Sequence, residues 1–69
     1  MAHGRIKGNR IDDCLYEKNM TRAELIEIIG ADYSHIYKII RNQIQPTLPV
    51  AYKISKALGY PIEIVFIFE

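Results

Sequence analysis

Two tyrosines, a serine, a lysine and an arginine stand close together in this chain: Tyr33, Ser34, Tyr37, Lys38 and Arg41. With the segment helical and Ile36 and Ile39 turned inward, these five side chains face outward, and His35 lies at their margin. Hydroxyl, ammonium and guanidinium donors interleaved with aromatic rings on one helix face suit a polyanion whose groove admits a helix. The bland alternative is an ordinary wet helix surface, against which two outward tyrosines weigh. Arg22 stands at the start of another helix, where free amide hydrogens and the partial positive charge of the helix end favour a phosphate.

Other chemistries find little to build on. His3 and His35 have no third ligand at metal spacing, so no metal site is expected. Cys14 falls on the inward face of an apolar helix and reads as a core residue; a single cysteine also excludes an intramolecular disulfide. No Ser/His/Asp or paired-carboxylate arrangement occurs with a plausible pocket, and 69 residues rarely enclose a catalytic cavity. The expectation is a binding protein without a cofactor, not an enzyme.

The elements that position these residues begin with composition. At 49% hydrophobic and 25% charged, the chain is globular rather than disordered. At this size a domain buries only about 60% of the surface its unfolded chain exposes, so the core is marginal. No apolar run approaches the length of a bilayer span and no charged-then-apolar leader opens the sequence, which leads to the expectation of a cytoplasmic protein with no membrane partner. The net charge of +1 conceals a segregation. Residues 1–11 carry Arg5, Lys7 and Arg10 with no acid, and residues 33–56 carry Lys38, Arg41, Lys53 and Lys56 with no acid. The acids Asp12, Asp13, Glu17, Glu24, Glu27 and Asp32 lie between these stretches, and Glu63 and Glu69 close the chain. One face can therefore be basic while the molecule stays near neutral.

Apolar spacing and end signals divide the chain into helices. A first helix is predicted over 10–18, with Ile11, Cys14 and Leu15 on one face and Asn19 tolerating the left-handed stop. Thr21-Arg22-Ala23-Glu24 is a capping box that opens a second helix, with Leu25, Ile26 and Ile29 inward and Gly30 ending it. Asp32 caps a third helix to about Arg41, closed by Asn42. Thr47 caps a fourth from Leu48 to Leu58, with Pro49 in its first turn and Gly59 as its stop. Over Pro61–Glu69 a helical turn using Ile62, Val65 and Phe66 competes with a β-branched, aromatic strand signal, and a short helix followed by a strand satisfies both. The fold class expected is all-α: a small bundle of four to five helices with a short terminal strand.

Two helices joined by a short glycine-opened turn are the helix-turn-helix signal. Thr21-Arg22-Ala23-Glu24-Leu25, Gly30, Asp32, Ile36, Ile39, Gln45-Pro46-Thr47-Leu48 and Ala51 to Gly59 together resemble the phage-repressor and Cro-like, or xenobiotic-response-element, helix-turn-helix family. The likeness runs without a gap from about Arg10 to Phe66. It departs at Ile26, where the family usually has a small alanine at the closest helix contact. It departs also at Ile40, commonly a polar position, and at Asn19 and Asn42, which replace the usual glycines. The resemblance implies a lambda-repressor-like bundle and double-stranded DNA as partner. It carries base reading in the major groove to Tyr33, Ser34, Tyr37 and Lys38, and phosphate contacts to Arg22, Arg41, Asn42 and Gln43. Lys38 would donate to guanine O6 and N7, Ser34 would serve several base edges, and the tyrosine rings would rest on thymine methyls.

The chain is thus expected to be one domain over 1–69, with its core over 10–66, a basic arm over 1–9 and an apolar segment over 61–69. Ile62, Ile64, Val65, Phe66, Ile67 and Phe68 are more apolar surface than one turn or one strand face can hide, which points to a second copy of the chain. Phe66 is expected in the core, and Ile64, Ile67 and Phe68 at a homodimer interface. Residues 65–68 pair either with the segment near Ile6 or with the mate. A repressor-type regulator on a near-palindromic operator is the leading expectation. An antitoxin-like or other partner-binding module using the apolar C-terminus and a non-specific architectural DNA binder are the alternatives.

Overall fold

The computed structural model describes residues 5–69. In chain order its elements are β1 (Ile6–Asn9), α1 (Ile11–Glu17), α2 (Arg22–Ile29), α3 (Tyr33–Ile40), α4 (Leu48–Leu58), α5 (Ile62–Val65) and β2 (Phe66–Phe68). The expected helical bundle is present, and the ambiguous C-terminus resolves into a helical turn followed by a strand. No helix among the described residues is long and apolar enough to cross a membrane.

Helix limits follow from local chemistry. The Thr21 hydroxyl accepts from the Glu24 amide at 3.1 Å, and the Glu24 carboxylate accepts from the Thr21 amide at 2.8 Å. This reciprocal pair satisfies two of the donors that a helix start leaves free. Asp32 caps α3 through the His35 amide, and Thr47 caps α4 through the Val50 amide. At the far end of α3, Asn42 takes the left-handed conformation at φ 60°, its amide donating to Ile39 O and that of Gln43 to Lys38 O. Asn19 and Gly59 close α1 and α4 with the same pair of bonds. Gly30, at φ 73°, turns the chain from α2 toward α3; a Cβ there would meet no neighbour, so only the backbone angle asks for glycine.

One core joins every element. Ile11, Leu25, Ile36, Ala51, Ile54 and Val65 are fully buried, with Ile39, Leu58 and Phe66 at 1% exposure. Burying each large aliphatic side chain contributes about 1.5–3 kcal/mol before entropy is counted. Ile26, the bulky residue at the helix contact, is itself buried in this core, as are Ile40, Cys14 and Leu15.

The N-terminus requires a correction. Residues 6–9 are no arm: β1 pairs antiparallel with β2 in the register Ile6 with Phe68, Gly8 with Ile67 and Asn9 with Phe66, with an irregularity between Ile6 and Gly8. Ile6 is buried, and Arg10 donates its backbone amide to Val65 O at 2.7 Å and its guanidinium to Ile64 O at 3.3 Å. Phe66–Phe68 supplies β-branched and aromatic side chains that a free strand would leave wet, and pairing with β1 covers part of them. Residues 1–4, with His3 and the rest of the expected arm, lie outside the described residues.

Candidate nucleic-acid interface

The helix-turn-helix places the outward face of α3 beside the first turn of α2. Burial of Ile36, Ile39 and Ile40 fixes the rotation of α3 and leaves Tyr33, Ser34, His35 and Lys38 exposed, with Tyr37 half-buried. The rings of Tyr33 and Tyr37, one helical turn apart, stack at 5.9 Å between centroids and 14° between planes. Tyr37 is also where the two arginines meet. The guanidinium carbon of Arg22 lies 5.1 Å from its ring centroid and that of Arg41 lies 5.7 Å away. These cations, Arg41 first and Arg22 second, hold the Tyr37 phenol below its usual range by favouring the phenolate. Residues from the start of α2, the middle of α3 and the end of α3 thus form one cationic, aromatic surface.

Two of the residues assigned to phosphate have internal partners. Arg22 is half-buried and donates through Nε and Nη2 to the two carboxylate oxygens of Asp12, at 3.0 and 2.7 Å. This bidentate geometry is the strongest form of an arginine–carboxylate pair. It lowers the Asp12 carboxyl and raises the Arg22 guanidinium still further above neutrality. Asn42 accepts at its side-chain oxygen from the Asn9 side-chain amide, 3.1 Å away. Arg41 and Gln43 are exposed at the end of α3, and neither side chain has an acidic partner among the described residues.

Asn9 escaped the sequence reading. Its side-chain amide donates to Ile39 O at 3.2 Å and Ile40 O at 3.3 Å, while its oxygen accepts from the Ile11 amide at 3.0 Å. One side chain therefore finishes β1, starts α1 and reaches the last carbonyls of α3. Gln45 adds a second tie, its side-chain amide donating to Ile6 O. Nothing local marks the ties from Asn9 to α3 or from Gln45 to β1, because those partners lie 30 to 39 positions away. The helix-cap grammar of α1 hints at Asn9 alone, since Asn is a favoured residue near helix starts.

The apolar C-terminal residues separate in space. Phe66 is buried and Phe68 packs against the same core, while Ile67 is half-buried with its Cδ1 beside Gly8. Ile64 alone of the expected interface trio is largely open, at 48% exposure.

A domain this small, with capped α2 and α3 meeting across a glycine turn inside a single core, is a helix-turn-helix protein. The family model for that fold matches residues 14–65, and the chain belongs to this xenobiotic-response-element helix-turn-helix family. Two archaeal proteins are similar over most of their length. One, from Methanocaldococcus jannaschii, is named an uncharacterized HTH-type transcriptional regulator; it is 35% identical over 51 residues, which cover 74% of this chain and 77% of that protein. The other, from Archaeoglobus fulgidus, carries the same description and is 33% identical over 60 residues, covering 87% of this chain and 84% of its own.

Proposed function

We propose that this chain is a transcription regulator of the repressor type that binds double-stranded DNA sequence-specifically through the major groove. The observation that carries this reading is the single surface formed by Tyr33, Ser34, Tyr37 and Lys38 on α3 with Arg22 and Arg41 both against the Tyr37 ring. Lys38 is the charged donor to base edges, Ser34 a second polar reader, and the two tyrosines supply apolar contact to thymine methyls. Arg22, Arg41 and Gln43 contact phosphates, and Asn42 contributes its position at the helix end more than its side chain, which Asn9 engages. Family membership and relatives named as transcriptional regulators support the same function.

The chain acts as a homodimer on a near-palindromic operator, with recognition helices about 34 Å apart on half-sites about 10 base pairs apart. Ile64 is the exposed apolar residue at the centre of the contact. A partner-binding module resting on the apolar C-terminus draws less support, because Phe66 and Phe68 serve this chain's own core and sheet.

Selection from random duplexes at fixed salt tests the function. The expected result is enrichment of a two-fold-symmetric motif, with log affinity falling against log salt at a slope of about −5 to −7 for six to eight phosphate contacts. A slope near zero refutes DNA binding altogether; a steep slope with no enriched motif leaves an architectural binder.

A further inference from the structure

We propose that Asp12 is a specificity-determining residue: by clamping Arg22, it keeps that cation from strengthening DNA contacts that are out of register. The inference rests on the DNA-binding reading and adds a residue on α1, away from the recognition helix, to the machinery of choice between sequences.

The geometry carries it. Asp12 occupies Nε and one edge of Nη2 of Arg22, at 3.0 and 2.7 Å, and the Tyr37 hydroxyl is a further side-chain partner of the guanidinium. The guanidinium is also stationed over the Tyr37 ring at 5.1 Å, so its orientation is set from two sides. An unpaired arginine on a helix start swings over several ångströms and meets a phosphate on almost any duplex. A paired one has its charge compensated and its remaining donors aimed one way. Only a duplex docked with a phosphate within reach of the guanidinium as it is held there gains from it. Arg41 differs: it flanks the same ring at 5.7 Å with no carboxylate among the described residues, so it contributes to any duplex alike. The two arginines thus divide the work, one for affinity and one for register.

The measurement is the ratio of affinities for the selected duplex and a scrambled duplex of equal length, by fluorescence anisotropy at about 0.1 M salt. Asp12→Asn frees Arg22 while keeping the side chain's size. The expected outcome is a ratio lowered about five- to tenfold, with tighter scrambled-duplex binding whose salt slope steepens by about 0.9 per subunit, the release of one further counterion. Arg22→Lys keeps the charge and loses the fork, and lowers the ratio in the same direction. Combining Asp12→Asn with Arg22→Ala leaves the ratio at the value of Arg22→Ala alone. A long-range effect of one surface acid moves both affinities by the same factor, so an unchanged ratio in Asp12→Asn and Arg22→Lys overturns the inference. So does a fall in ratio that persists with Ala at position 22. Failure of the underlying DNA reading is distinguishable, because it shows in the wild type as salt-independent or undetectable binding to both duplexes.

Discussion

The side-chain amide of Asn9 donates to the side-chain oxygen of Asn42 at 3.1 Å, linking the end of the first strand to the residue that closes α3. The same amide reaches the carbonyls of Ile39 and Ile40. The terminal sheet is therefore coupled to the position of α3, and a change in β1 is felt at the surface proposed to meet DNA.

Asn9→Ala removes these donors, leaving the Ile39 carbonyl with the Asn42 amide alone and the Ile40 carbonyl without its Asn9 partner, at a cost of about 1–3 kcal/mol by urea denaturation. Asn42→Gly is expected to be close to neutral because glycine adopts φ 60° freely, while Asn42→Ala costs about 1–2 kcal/mol for the left-handed backbone. Equal losses in Asn42→Gly and Asn42→Ala contradict this: the side-chain bond would then outweigh the backbone angle.

Base reading and phosphate contact separate by mutation. Lys38→Ala is expected to weaken binding to the selected duplex by about 1–3 kcal/mol and relax preference at one base position. Arg41→Ala is expected to weaken all duplexes about equally and to reduce the salt slope by about 1 per subunit. If the consensus selected by Lys38→Ala matches that of the wild type, Lys38 is not a base reader.

Stability has an acid and an alkaline limb with different owners. The Arg22 pair depresses the Asp12 carboxyl in the fold, so its contribution is complete above the unfolded value of about 3.9 and is lost as pH falls through the depressed one. Burial raises the Cys14 thiol, and the bond that the Tyr60 hydroxyl donates to Glu17 at 2.8 Å raises that phenol. Both contributions are complete below the unfolded values, about 8.5 and 10, and are lost as pH climbs through the raised ones. Tyr37, depressed by its arginines, works in the opposite sense at high pH. Thermal melts across pH should show Tyr60→Phe flattening only the portion above about pH 10, and Asp12→Asn only the acid portion.

Ser55 is a different kind of expectation. It is 2% exposed, and its hydroxyl has no hydrogen-bond partner among the described residues. An unpaired buried hydroxyl costs about 1–3 kcal/mol, so Ser55→Ala should raise stability by about 1 kcal/mol. A measured loss of that size instead shows that the hydroxyl is satisfied in solution.

Features governed by neighbours in sequence are legible from the sequence itself. Thr21 with Glu24, Asp32 and Thr47 mark helix starts by chemistry that acts within three residues, and α4 lies over Leu48–Leu58 as its caps require. That a helical turn gives way to a strand within Pro61–Glu69 is readable for the same reason, from Ile62 and Val65 meeting a β-branched run, but the position of the change at Phe66 is not. Asn9 and Asp12 were not legible as partners of α3 and α2. Each is an ordinary polar residue near a helix start, and its role exists only once the core that Ile11, Leu15, Leu25 and Ile36 share has brought distant elements together. The strand of Ile6–Asn9 is intermediate: its few residues include one glycine and a single aliphatic, so pairing depended on what Phe66–Phe68 needed covered.

Assembly provides the final expectation, and the structure sharpens which residue tests it. Ile67 and Phe68 are half-buried in a sheet this chain completes by itself, so charging either disturbs β1 pairing as well as any interface. Ile64, on α5 at 48% exposure, is free of that ambiguity. It borders a concavity shared with Arg10, Asp13, Cys14, Glu17 and Tyr16, the last of these 88% exposed. Apolar surface placed beside an exposed aromatic and both signs of charge suits a self-complementary two-fold contact. Ile64→Asp is therefore expected to retain the wild-type melting cooperativity while sedimenting as a monomer at micromolar concentration. Because one half-site engages alone, its affinity for the full operator should fall by at least tenfold and its salt slope by about half, as phosphate contacts are lost with the second subunit. A wild type that sediments as a monomer at these concentrations, together with Ile64→Asp binding the operator as tightly as wild type does, overturns the dimer.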